Sequence, residues 1–219
     1  SGSDAGSKFY GIFAEYKIQI TGGETVSTFA DCGGTDAVVA GFYADSTMTV
    51  TNAVVTTYGS VNNMDRLESY GIYAKRALTV TNSTLSVSCG NATASQVQCL
   101  GIHAESVTLE NSTVTAKSES ASSSSYTGFA VHSNTLKITG GSFVAEAGAD
   151  GARATYAAPD VNMDSTPYYQ WKTSASANYT LSLNTPYDKS NYDPQNTSYF
   201  CIKPMEGDNP PASHQLRYK

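Results

Sequence analysis

Two sets of residues in this 219-residue chain recur at a fixed interval and carry side chains able to do chemistry. Phe13, Tyr43, Tyr73 and His103 follow one another at steps of thirty. Glu15, Asp45, Lys75 and Glu105 do the same two places further on. On strands that show one face to solvent, the rings form one exterior ladder and the charges a second. Flat rings bind sugar faces and carboxylates bind hydroxyls, so the eight residues form a candidate glycan platform. The charged ladder is also the only place where catalysis could sit. A lyase needs a base near carboxylates that hold calcium and substrate, and Lys75 falls between Asp45 and Glu105. A glycosidase needs two carboxylates about 5 to 9.5 Å apart, which Glu15 and Asp45 could supply from adjacent rungs. Alternating charges and stacked aromatics also stabilise neighbouring strands on any sheet. With no Arg in the ladder and no dense Asp cluster, no catalytic residue is assigned.

The elements that would position these residues are written in the repeats. Gly11-Ile12-Phe13-Ala14 returns as Gly41-Phe42-Tyr43-Ala44, Gly71-Ile72-Tyr73-Ala74 and Gly101-Ile102-His103-Ala104. Gly128-Phe129-Ala130-Val131 reads as a degenerate further copy. A second motif trails each glycine: Met48-Thr49-Val50-Thr51-Asn52, Leu78-Thr79-Val80-Thr81-Asn82, Val107-Thr108-Leu109-Glu110-Asn111. A third alternation follows, as in Leu85-Ser86-Val87 and Val114-Thr115-Ala116. Period-two alternation means strands with one dry and one wet face. A single unit cannot bury its own apolar row, but stacked units can. The predicted fold is therefore all-β: a single-stranded right-handed parallel β-helix with three strands per coil and a repeat of about thirty residues. Five in-phase copies of one motif argue against a sandwich of antiparallel hairpins. Asn52, Asn82 and Asn111, with Gly22 and Gly140, fall at the corner after the second strand, where a left-handed backbone is needed. Stacked Asn side chains could also bond along the axis there.

Composition agrees with strands. Only 15% of residues are charged, against about 25% in an ordinary globular protein. Serine (28) and threonine (25) supply the polarity instead, and threonine suits pleated surfaces while serine suits helices poorly. A net charge of −6 excludes a nucleic-acid-binding surface built on clustered Lys and Arg. No run of 18 apolar residues exists, so membrane insertion is not expected. Variable excursions are expected to leave one corner of the helix as loops, roughly at 29–40, 59–69, 89–100 and 118–126. Cys89 and Cys99 bracket one of them and are the candidate disulfide; Cys32 and Cys201 have no evident partner. The coils are assigned to residues 1–155, an aromatic-rich C-terminal cap to 156–204 and a polar tail to 205–219. Strands are expected at 168–173 and 199–203. Asp160-Val161-Asn162-Met163-Asp164 copies half of an EF-hand loop but lacks its glycine and has Trp171 at the twelfth position, so it reads as a turn. His132 and His214 read as isolated polar residues.

The unit from Gly71 to Val87 resembles the repeats of bacterial extracellular right-handed β-helix proteins. It is most similar to the carbohydrate-binding β-helix group of clostridial and gut bacteria, related in shape to pectate lyases. The Tyr169-Gln170-Trp171-Lys172-Thr173 segment resembles their closing strands. The resemblance implies secretion or cell-surface display, binding of a polysaccharide or of a host or bacterial surface ligand, and calcium in some members. No calcium motif of that group is present to carry over, so no cofactor is assigned. The chain is thus expected to be a monomeric, extracellular, non-catalytic carbohydrate-binding module. Two other readings stand beside it: an adhesin or stalk that binds a protein through its loop edge, and a polysaccharide lyase or glycosidase.

Overall fold

The computed structural model describes residues 7–23, 25–32, 36–61, 64–90, 94–119, 125–148, 152–163, 167–173, 177–178, 180–182 and 187–204. The first coil holds β1 (Ser7–Ala14), β2 (Lys17–Thr21) and β3 (Thr25–Cys32). The next holds β4 (Asp36–Ala44), β5 (Thr47–Thr51) and β6 (Val54–Val61). In the third, β7 (Met64–Thr81) runs unbroken through two of the three positions, followed by β8 (Thr84–Cys89). In the fourth, β9 (Ala94–Ser118) supplies all three. Then come β10 (Ser125–His132) and β11 (Thr135–Ala147), and the short β12 (Arg153–Thr155) and β13 (Asp160–Asn162). All of these pair in parallel with their equivalents in the adjacent coil, through to β13 on β11. The fold is a parallel β-solenoid with three faces. The chain then reverses: β14 (Pro167–Lys172), β15 (Thr180–Ser182) and β16 (Tyr199–Pro204) pair antiparallel, and β16 lies antiparallel against β11. A 3-10 turn, Lys189–Asn191, sits in the cap. Among the described residues no helix is long and apolar enough to cross a membrane.

The core follows from stacking like on like. Met48, Leu78, Val107 and Leu136 are Cα partners in successive coils, and all are buried. Val50, Val80, Leu109 and Ile138 form the next row. Phe42, Ile72, Ile102 and Val131 face them from the first sheet. Phe143 and Phe200 close the far end. Each buried side chain of this size contributes about 1.5–3 kcal/mol relative to exposure.

The corners explain the recurring small residues. Asn52, Asn82 and Asn111 have φ of 51°, 48° and 47°, and Gly22 and Gly140 have φ of 117° and 76°. The bonds that run along the axis here come from serine rather than from asparagine side chains. The Ser83 hydroxyl accepts from Ala53 N–H at 3.1 Å, and the Ser112 hydroxyl accepts from Ser83 N–H at 3.1 Å. Each donates in turn to a backbone carbonyl of its own coil, Thr81 O and Glu110 O, at 2.7 Å. The motif glycine has a different cause. A Cβ on Gly71 would stand 2.8 Å from Ser88 O and from Gly101 O, and one on Gly101 would stand 2.7 Å from Lys117 O. In these two coils the third strand passes too close to the first for any side chain at the glycine.

Three expectations change. The copy placed at Gly128 is two residues out of register: Gly128 pairs with Cys99, and Phe129, Val131 and His132 pair with Leu100, Ile102 and His103. Burial of Phe129 and Val131 over Leu100 and Ile102 outweighs alignment of the glycines. The coil repeat shortens at a bulge between Ala74 and Ala77, where Lys75 and Arg76 oppose Glu105. The excursions, expected as loops, carry strand legs paired from coil to coil, as in Asp36 with Arg66, Arg66 with Gln96 and Gln96 with Ser125. Asp160–Asn162, read as a turn, is instead strand β13.

The left-handed corner predicts a substitution pattern. Asn82→Ala should lower the unfolding free energy by about 1 kcal/mol, whereas Asn82→Gly should change it by under about 0.5 kcal/mol, because only alanine is strained at positive φ. Urea unfolding of both variants checks this; equal losses would contradict the corner role.

Candidate functional site

The aromatic positions do stack on the outer face of the first sheet. Phe13 pairs with Tyr43, Tyr43 with Tyr73 and Tyr73 with His103 in the backbone register. Their ring centroids lie 5.6, 4.5 and 4.9 Å apart, with interplanar angles of 26°, 6° and 14°. Adjacent parallel strands lie about 4.8 Å apart, inside the 4.5–7 Å range of aromatic pairs, so the sheet itself sets the stack. The ladder then continues beyond the sequence expectation. His132 stacks on His103 at 5.1 Å and 15°, and Tyr156 lies 4.5 Å from His132. His132 is therefore a member of the ladder, not an isolated polar residue.

A second aromatic row flanks the first. Tyr10, Tyr70 and Phe129 occupy equivalent register positions, the first two just before a motif glycine and Phe129 before Ala130. Tyr70 meets Tyr73 edge-on at 5.1 Å, and Phe129 meets His132 edge-on at 5.1 Å. Ala40, Tyr70, Leu100 and Phe129 make a small apolar cluster apart from the main core, covered by Tyr43 and Tyr73. Strict alternation through the glycine would have put this row inside. The interior glycine marks where the strand changes face.

Burial sets the electrostatics. It pushes the Tyr43 phenol up to about 12, helped by Tyr73, Tyr10 and Asp45. It raises Tyr70 further, with Glu68 adding to the effect; the Tyr70 hydroxyl donates to Glu68 Oε2 at 3.0 Å. His103 is lowered from 6.5 to about 4, first by burial and then by His132. His103 Nδ1 is buried without a hydrogen-bond partner. His132 is also lowered by burial, against the pull of a backbone hydrogen bond. The stack holds two neutral imidazoles at neutral pH.

Of the charged ladder, Lys75 Nζ lies 3.0 Å from Asp45 Oδ1, with both side chains about half exposed. Glu105 faces the bulge at Lys75 and Arg76. Glu15 and Asp45 open onto a cleft of about 640 Å³ at the first coil, shared with Lys8, Phe13 and Tyr16. Phe13 is 51% exposed there and Tyr16 78%. Tyr16 was not singled out in the sequence because it lies at a corner, outside the strand motif. Cys89 and Cys99 are joined by a disulfide, with Cα atoms 5.8 Å apart, at the neck of the third excursion. Ser69 occupies the same place one coil earlier and donates to Gly59 O at 2.8 Å. Cys201 lies buried on β16, and the side chain of Cys32 lies outside the described residues. Among the described residues no three His, Cys, Asp or Glu side chains gather as a metal-binding set.

No family model, no curated protein and no solved structure matches this chain. The resemblance to bacterial β-helix proteins is carried by the structure as far as the parallel solenoid.

The imidazoles predict an acid-sensitive fold. His103 is held neutral when folded, so the unfolded chain binds its proton first as pH falls below 6.5. Stability is then complete above 6.5 and drains away toward pH 4. The melting temperature should fall across that window, and His103→Phe should flatten the slope. Circular dichroism melts at stepped pH test this; a variant with the parental slope would contradict it.

Proposed function

We propose that this protein is a non-catalytic, carbohydrate-binding β-solenoid module that works outside the cell or at its surface. The observation that carries the reading is the first-coil cleft, where exposed Phe13 and Tyr16 stand beside the carboxylates of Glu15 and Asp45. From Tyr43 to His132 each ring lies between two others, so neither face is open to a sugar. At the first coil the rings are exposed and carboxylates are at hand to accept from sugar hydroxyls. The glycan therefore binds at the cleft lined by Phe13, Glu15, Tyr16 and Asp45. An oxidising compartment suits the Cys89–Cys99 bridge, since such bonds persist mainly outside the cytosol. A non-catalytic role suits Lys75, whose side chain is already engaged in an ion pair with Asp45.

The stalk reading is favoured by one observation. Tyr43, Tyr73, His103 and His132 spend their faces on one another, which stiffens a solenoid whether or not it binds sugar.

Co-sedimentation with insoluble and gelled polysaccharides, with and without calcium, separates the readings. Retention without release of unsaturated or reducing ends is expected. Phe13→Ala and Tyr16→Ala should each weaken retention about tenfold, which corresponds to about 1.4 kcal/mol, with little change in melting temperature. Tyr73→Ala should lower the melting temperature instead. Retention on no glycan would leave the stalk, and product release would make the protein an enzyme.

A further inference from the structure

The first-coil cleft holds a like-charge pair that packing does not require. Ala14 is the Cα partner of Ala44, and Asp45 N–H donates to Ala14 O at 3.0 Å. Glu15 and Asp45 therefore occupy equivalent positions of adjacent coils, whose strands lie about 4.8 Å apart. Carboxylates opposite one another on neighbouring strands repel. Lys75, one coil further on, relieves Asp45 at 3.0 Å. Glu15 has no ion-pair partner among the described residues.

The surroundings of the pair suit a cation. Phe13 and Tyr16, on either side of Glu15 in the chain, are both exposed. Tyr10 and Tyr43 line the same cleft, and their phenols are raised first by burial and then by neighbours that include Tyr73 and Asp45. The negative charge of Asp45 is thus felt across the cleft wall. The cation among the lining residues, Lys8, stands at the other end of β1 and pairs with neither carboxylate. The cleft, at about 640 Å³, falls within the roughly 300–1,000 Å³ of pockets that take ligands larger than a simple ion.

We propose that the glycan taken by this cleft is built of amino sugars whose amino groups are free. The inference rests on the glycan reading of the cleft and narrows it to one chemical class. A sugar ammonium beside Glu15 and Asp45 gives both carboxylates a charge-assisted donor and removes their repulsion. The exposed ion pair with Lys75 is weak enough to release Asp45. The open ring faces of Phe13 and Tyr16 attract the same cation through their quadrupoles. A neutral sugar would leave the repulsion in place, and a uronic acid would add a third negative charge to it. The net charge of −6 also opposes a polyanion.

Calorimetric titration with three soluble oligosaccharides of equal length tests this: glucosamine, N-acetylglucosamine and galacturonic acid oligomers, just below neutral pH so that the amines are charged. The glucosamine oligomer should bind about tenfold more tightly than its acetylated, neutral counterpart, and the galacturonic acid oligomer most weakly. Glu15→Gln should weaken glucosamine binding about tenfold with an unchanged circular dichroism spectrum. Glu110→Gln makes the same charge change on the second sheet and should keep the parental affinity. Equal affinity for the glucosamine and acetylated oligomers, or tighter binding of the galacturonic acid oligomer, overturns the amino-sugar class and leaves the glycan site standing. Equal losses in Glu15→Gln and Glu110→Gln overturn it too, by reducing the attraction to overall charge. Binding of none of the three overturns it together with the glycan reading beneath it.

Discussion

Each residue of a coil has as its nearest neighbour the equivalent residue of the next coil, about 4.8 Å away. This vertical register is the constraint on which the rest of the molecule depends. Inside, it puts Leu78 over Val107 and Val107 over Leu136, so the core is a set of apolar columns. At the corner it repeats the demand for a left-handed backbone at Asn52, Asn82 and Asn111. Where the third strand meets the first, it repeats the demand for a missing side chain at Gly71 and Gly101. A one-dimensional array of this kind draws its stability from contacts between adjacent coils.

The same register governs the outer surface, where stability and recognition compete. Rings brought to 4.5–5.1 Å along the axis stabilise one another by about 0.5–1.5 kcal/mol per pair, and in doing so they close their faces to a ligand. Stacking also buries His103 and His132, which links the ladder to pH. Only where stacking stops are ring faces and polar partners left together. The proposed glycan site at Phe13 and Tyr16 is where exposed rings and the carboxylates of Glu15 and Asp45 meet.

Much of this was legible in the residues. The thirty-residue spacing of Gly11, Gly41, Gly71 and Gly101 carries the solenoid, and the alternation around Tyr43 and Tyr73 carries the ladder. The Asn corners were readable because asparagine tolerates positive φ at little cost. What was not readable depends on contacts between distant segments. Gly128 drew the eye to the wrong register, because a glycine marks a turn while the buried pair Phe129 and Leu100 decides the pairing. That slip hid His132, whose place over His103 follows from the same pairing. Tyr70 was hidden by the change of face at Gly71, which a period-two rule does not contain. Asn196, Thr197 and Ser198 show no strand pattern, yet Ala154 N–H donates to Thr197 O at 2.7 Å and joins the cap to β12. The ring cluster of the cap needs β14 and β16 to pair antiparallel, a return that no repeat announces.

The most direct test of the central claim is a pair of double-mutant cycles in the core. Leu78→Ala with Val107→Ala removes neighbours in one column, and Leu78→Ala with Leu136→Ala removes residues two coils apart. If stability resides in contacts between adjacent coils, urea unfolding should give a coupling of about 0.5–3 kcal/mol for the first pair and additivity within about 0.5 kcal/mol for the second. Equal coupling in both pairs, or none in the first, would contradict the account.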